Sequence, residues 1–241
     1  MWGKGKGIVL SVIRHNDKSS IVHVFTDTHG YITFIHFTRS SSKGCVRNAL
    51  LQPLTAIGFE CRILETDSLQ HFRDLYNLHP FTSIPFNPVK SSIALFLSEF
   101  LTYALKGESE SSRLFPFLED SLCRWDRMET SGNFHLYLTV RTAGFIGIAP
   151  DSSTYRPGHV LDMPDGIYKA GQEAGQDCLT SGLSYKMLLF QLCHTPEEAE
   201  SVPMTGPERN ALLNAVCSYY RRHIPAFPEL KSLDILGTVF R

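Results

Sequence analysis

The chain has 241 residues, is 43% hydrophobic and 20% charged, and carries a formal net charge of −1. That length and apolar content support a buried core in one large or two small domains. No run approaches the ~18 to 20 apolar residues of a membrane-spanning helix, and only a strand-length apolar run follows the first seven residues, which argues against secretion and membrane insertion.

The near-neutral total conceals an asymmetry. The first 47 residues hold Lys4, Lys6, Arg14, Lys18, Arg39, Lys43 and Arg47 against Asp17 and Asp27, so a head of charge +5 precedes a body of −6. A basic head of this kind suits a polyanion, with ordinary surface solvation as the competing account. The six cysteines (Cys45, Cys61, Cys123, Cys178, Cys193 and Cys217) stand singly, several inside apolar runs. They read as reduced thiols of a cytosolic protein, and their spacing assembles no zinc site.

In chain order, Gly3-Lys4-Gly5-Lys6-Gly7 invites comparison with a phosphate loop. Such a loop follows a strand and opens a helix, whereas this run precedes a strand, so it reads as a flexible basic arm. Residues 7–13, 20–26 and 30–37 are rich in β-branched and aromatic residues with partial alternation, and predict three strands in a meander. Turn chemistry at His15-Asn16-Asp17-Lys18 and Asp27-Thr28-His29-Gly30 separates them. Two further segments, 51–63 and 69–78, each offer a strand. Five strands in about 78 residues suit closure into a small barrel of the OB type, which removes exposed edges.

Residues 79–88 contain Pro80, Pro85 and Pro88 and read as a linker. Beyond it the period becomes helical. Residues 89–105 place Ile93, Phe96, Leu97, Phe100, Leu101 and Ala104 on one face, residues 111–127 repeat the pattern, and residues 134–145 give a third helix. More helices are expected at 184–192 and 207–223, where Pro207 suits a first turn. Between them, residues 149–183 show no period and read as a long irregular excursion.

No constellation for catalysis emerges. There is no Gly-x-Ser-x-Gly elbow, His-Glu-x-x-His or Walker loop. The histidines stand singly, and Glu119 and Asp120 are helical neighbours that do not face each other. The chain is therefore read as a non-enzyme. In a small barrel, outward basic residues track phosphates and aromatics offer stacking faces to bases. Tyr31, Phe34 and Phe37 are candidates, but alternation puts Tyr31, Thr33 and Ile35 on one side and Ile32, Phe34 and His36 on the other, so some of these aromatics are core.

The segment from Gly7 to Leu54, with a strand ending in Phe25-Thr26, a polar turn with Gly30, a basic Ser-rich loop and Leu50-Leu51-Gln52-Pro53-Leu54, resembles the start of the RecO family of bacterial recombination mediators. Leu230-Lys231-Ser232 is similar to that family's element near its end. The resemblance implies an N-terminal OB domain that binds single- and double-stranded DNA, followed by helices. It also implies annealing of complementary strands, cooperation with RecR, contact with the acidic tail of single-strand-binding protein, and indirect help in loading RecA. Many relatives carry a four-cysteine zinc module where this chain has residues 165–172 and only Cys178 nearby, so no metal or other cofactor is expected. Some relatives place arginines where Gly132 and Asn133 stand here, before Phe134.

The reading is an α+β protein: an OB-type five-stranded barrel over 1–79, a Pro-rich linker at 80–88, and a helical domain over 89–241. DNA is assigned to Lys4, Lys6, Arg14, Lys18, Tyr31, Arg39, Lys43 and Arg47. A protein partner is assigned to Arg127, Arg141 and Lys231. The expected location is the cytoplasm, associated with the nucleoid. Two other readings stand beside it: an adaptor that docks proteins and ignores DNA, and a hydrolase acting around Asp162 to Asp177.

Overall fold

The computed structural model describes residues 3–37, 50–61, 69–109, 111–130, 132–172, 175, 177–233 and 236, with Phe72 and Arg73 described by backbone alone. Five strands form a closed barrel: β1 (Gly3–Asn16), β2 (Ser19–Thr26), β3 (Gly30–Phe37), β4 (Ala56–Cys61) and β5 (Gln70–Asn77). They pair in the order β1-β2-β3-β5-β4, and β4 returns to β1. Every pair is antiparallel except β3 with β5, the order of an OB-type barrel. Val9, Val22, Val24, Phe34, Ile57 and Phe59 fill its interior, with Phe34 and Phe59 meeting edge to face at 5.4 Å.

The glycine-lysine run is not a flexible arm. It is the first half of β1, paired with β4 from Gly3↔Cys61 to Gly7↔Ile57. The period of two explains the composition. The odd positions point inward, where a Cβ on Gly5 would stand 2.9 Å from Phe59 Cε2 and one on Gly7 2.3 Å from Val24 Cγ1. The even positions, Lys4 and Lys6, point outward and are exposed. Periodicity among apolar residues missed this stretch because its inward residues have no side chains.

Two helices, α1 (Pro88–Ala104) and α2 (Leu114–Arg127), belong to the same compact unit as the barrel, residues 1–127. Asn87 caps α1, its side chain accepting from the N–H of Val89 at 2.9 Å and of Lys90 at 3.2 Å. Helix α1 packs on β1, so Ile8 and Leu10, which continue the outward row of Lys4 and Lys6, are fully buried. After α1, the chain runs along the β2-β3 hairpin. Tyr31 N–H donates to Glu108 O at 2.8 Å, and Ser111 Oγ–H donates to Asp27 O at 2.9 Å.

A buried polar joint ties α2 to the segment before α1. Asp126 accepts from the N–H groups of Thr82 (2.9 Å), Ser83 (2.8 Å) and Ile84 (2.9 Å). Burial raises its pKa, but those three N–H groups and the Thr82 hydroxyl overcome this and hold the carboxylate below its ordinary value. Lys90, 1% exposed, donates from Nζ to Trp125 O at 2.7 Å and Asp126 O at 3.2 Å, satisfying carbonyls at the end of α2. Burial pulls the Lys90 pKa down against the pull of Asp126.

The second unit, residues 128–241, is built around α3 (Phe134–Phe145). Helices α4 (Ser181–Leu192), α5 (Pro196–Glu200) and α6 (Gly206–His223) all pack on it. Covered on several sides, α3 buries polar residues as well as apolar ones: Thr139 O accepts from Tyr220 Oη at 2.8 Å, and His135 is fully buried. A capping box between Thr205 and Glu208 starts α6. The one-turn α5 was too short to show a period.

The stretch read as an irregular excursion has structure of its own. A 3-10 turn (Ser152–Thr154) precedes a two-stranded ribbon, β6 (Val160–Asp162) with β7 (Ile167–Lys169). Asp162 organises it, accepting from Lys169 Nζ at 3.1 Å, Asp165 N at 3.2 Å and Gly175 N at 3.3 Å. Strands of three residues leave no alternation to read.

Candidate nucleic-acid interface

The lysine face is set by register. Opposite residues of antiparallel strands share a face, so the outward row of Lys6 continues through Gly58 on β4 to Tyr76 on β5. The Tyr76 ring lies across Gly58, where a Cβ would stand 2.1 Å from Cζ. The residue is nevertheless 50% exposed. The next row runs from Lys4 to Glu60 and the Arg73 backbone. Two cations and one aromatic ring thus lie on adjacent rows of the outer surface.

Lys6 is tethered at both ends. Its backbone N–H donates to Asp27 Oδ1 at 3.2 Å, and its Nζ lies 3.6 Å from Glu119 Oε1 on α2. The same carboxylate oxygen is 2.9 Å from His79 Nε2. Glu119, read from the sequence with Asp120 as helical neighbours that do not face each other, therefore sits beside the barrel's lysine face.

Arg14 and Lys18 lie at the other end of β1, around the β1-β2 turn, roughly 25 Å along the strand from Lys6. Arg14 pairs with Asp17 across that turn. Tyr31 is half-buried, stacked on His23 at 5.5 Å, and burial with Tyr103 nearby pushes its phenol up to about 12. Phe34 is core, and Phe37, 54% exposed, stacks on His71 at 5.8 Å. Arg39, Lys43 and Arg47 lie outside the described residues. Lys4 and Lys6 are thus neighbours on one face, while Arg14, Lys18 and Tyr31 stand elsewhere on the barrel. Tyr76 was missed because its value depends on Gly58, 18 positions away.

Of the residues assigned to a protein partner, Arg127 is exposed at the end of α2 in the first unit. Arg141 and Lys231 belong to the second unit. Arg141 donates from Nη1 to Gln191 O at 2.7 Å, while Lys231 is exposed.

Among the described residues, no catalytic constellation forms around these surfaces. A cavity of about 470 Å³ in the first unit is lined mainly by apolar residues such as Pro53, Phe81, Ile84 and Phe86, with His79 the one ionisable side chain among the described lining residues. Asp162 is 5% exposed and bound by Lys169 and two N–H groups, the work of a structural carboxylate. Among the described residues no helix is long and apolar enough to cross a membrane.

A closed five-stranded barrel with a lysine face, followed by helices, defines an OB-type binding protein. Comparison with known proteins narrows the class. The profile "Recombination protein O N terminal" matches residues 1–81, and "Recombination protein O C terminal" matches residues 85–234. The chain is 36% identical over 241 residues to the DNA repair protein RecO of Bacteroides fragilis, covering all of both chains. It is 36% identical over 253 residues to that of Phocaeicola vulgatus, again covering all of both, and 31% identical over 241 residues to that of Flavobacterium psychrophilum, covering 98% of each. The chain belongs to the recombination protein O family.

Proposed function

We propose that the protein is a DNA-repair recombination mediator that binds single- and double-stranded DNA through its barrel and anneals complementary strands. Family membership supports this reading, and the observation that carries it is the Gly-Lys alternation of β1. Glycines turned inward let the strand pass over Phe59 and Val24 while Lys4 and Lys6 face solvent together. Phosphate contacts of this kind neutralise charge without reading sequence. Annealing then needs a surface that lowers repulsion between two backbones and leaves the base edges free.

Within this reading, Arg14 and Lys18 extend the phosphate track along β1, and the basic segment with Arg39, Lys43 and Arg47 adds to it. RecR, the acidic tail of single-strand-binding protein and, indirectly, RecA are the partners the family suggests, with Arg127, Arg141 and Lys231 as candidate contacts. The cytoplasm, in association with the nucleoid, is the corresponding location, and no catalytic step is required.

The test is fluorescence anisotropy of labelled single-stranded DNA across a salt series. It compares wild type with a Lys4→Glu/Lys6→Glu variant and an Arg39→Glu/Lys43→Glu/Arg47→Glu variant. Wild-type binding with a marked salt slope, reduced in both variants, is the expected result. Absence of binding at low salt replaces this reading with a protein-docking adaptor, which the exposed Phe86 (78%) and Leu95 (46%) beside the apolar cavity would serve.

A further inference from the structure

The outer face of the barrel carries an aromatic ring that packs on one side and stays open on the other. Tyr76 points away from the core, and no aromatic partner is described for it. A glycine on the neighbouring strand lets its ring lie flat: any side chain at Gly58 would occupy the ring's position, 2.1 Å from Cζ and 2.4 Å from Cε2 and Oη. One face of the ring is thus laid on the sheet, and the residue stays 50% exposed. On the far side of Gly58, in the same cross-strand row, stands Lys6, with Lys4 one row along.

A flat ring with an open face, lying over the residue paired with Lys6, sets a stacking surface for a base beside a cation for its phosphate. We infer that Tyr76 is a base-stacking platform for single-stranded DNA, with Gly58 holding the ring flat and Lys6 taking the adjoining phosphate. This rests on the DNA-binding reading above and specifies how a single strand is told from a duplex. A duplex keeps its bases stacked on one another and presents phosphates alone, so it gains from Lys4 and Lys6 but not from Tyr76.

Other exposed rings compete for the role. Phe37 is 54% exposed, but its ring is already stacked on His71 at 5.8 Å and an interplanar angle of 10°. Tyr31 is half-buried against His23. Neither is in the row of Lys6.

The experiment measures affinity for labelled oligo-dT and for a duplex of equal length, using wild type, Tyr76→Ala, Tyr76→Phe and Phe37→Ala. Tyr76→Ala should weaken oligo-dT binding about tenfold and leave duplex binding within about twofold, while Tyr76→Phe and Phe37→Ala stay near wild type. Equal losses on both DNAs, or no loss on oligo-dT, overturn the inference while leaving DNA binding intact. A wild type that binds neither DNA overturns the underlying reading as well. Should Tyr76→Ala fail to fold, Tyr76→Trp serves instead: oligo-dT should quench its fluorescence more than duplex does, and equal or absent quenching overturns the proposal.

Discussion

Lys6 Nζ lies 3.6 Å from Glu119 Oε1, an ion pair between the barrel's lysine face and helix α2, with side chains 49% and 19% exposed. A phosphate approaching Lys6 must displace that carboxylate or bear its repulsion. The pair itself is weak at such exposure, on the order of 1 kcal/mol or less. Glu119→Gln should therefore raise affinity for DNA by about twofold to fivefold and steepen the salt dependence by about one counterion. An anisotropy salt series reads both; unchanged or weaker binding would show that Glu119 does not compete with DNA.

The inward glycines and outward lysines of β1 should separate stability from binding. Gly7→Ala places a Cβ 2.3 Å from Val24 Cγ1 in the barrel core and should cost about 1 to 3 kcal/mol. Lys4→Ala, on the exposed face, should stay within about 0.5 kcal/mol of wild type while weakening DNA binding. Urea unfolding beside anisotropy checks the division, and a Gly7→Ala variant as stable as wild type would contradict the inward placement.

Lys90 and Asp126 should prove coupled. Lys90→Met leaves the Trp125 and Asp126 carbonyls at the end of α2 without their buried donor, a loss of about 2 kcal/mol. Asp126→Ala releases three N–H groups and leaves Lys90 without its nearby anion, a loss of about 3 kcal/mol. The double variant should lose less than the sum, because the two changes disrupt one joint. Simple additivity in urea unfolding would count against that coupling.

Acid should loosen the second unit through His135. Its burial, with Arg209 adding repulsion, pushes its pKa from 6.5 down to about 3, so the folded state holds the ring neutral. The unfolded chain binds a proton below about pH 6.5 and the folded chain does not. Stability is therefore fully present above pH 6.5 and falls as pH drops toward 3, by up to about 1.4 kcal/mol per pH unit. Asp126, with its lowered carboxyl, acts in the same direction as pH falls toward its folded value. Urea midpoints at pH 7.5, 6 and 5 should decline, and His135→Leu should flatten the decline. An unchanged slope in that variant would exclude His135 as a source.

Much of the architecture is legible in the sequence. The strands at 20–26 and 30–37 and the helix Leu114–Arg127 show in the sequence because their side chains repeat with a period that burial on one face demands. Order and spacing of short motifs were enough to point to the recombination protein O family. What sequence alone missed lies where the signal is not carried by side-chain hydrophobicity. Gly3 to Gly7 is a strand whose inward residues have no side chains, and Asp162 acts through partners up to 13 positions away.

The candidate interface divides the same way. Composition and local pattern determined that the chain has a basic head, a small barrel and helices after it, because charge and amphipathic period are local properties. Only the tertiary structure decided that Lys4 and Lys6 share a face, that Arg14 and Lys18 stand at the other end of β1, and that Tyr31 is half-buried while Tyr76 lies open. It alone brought Glu119 to Lys6 and Gly58 beneath Tyr76. Those pairings follow from barrel register and helix docking, which join residues 18 to 113 positions apart and leave no trace in local sequence.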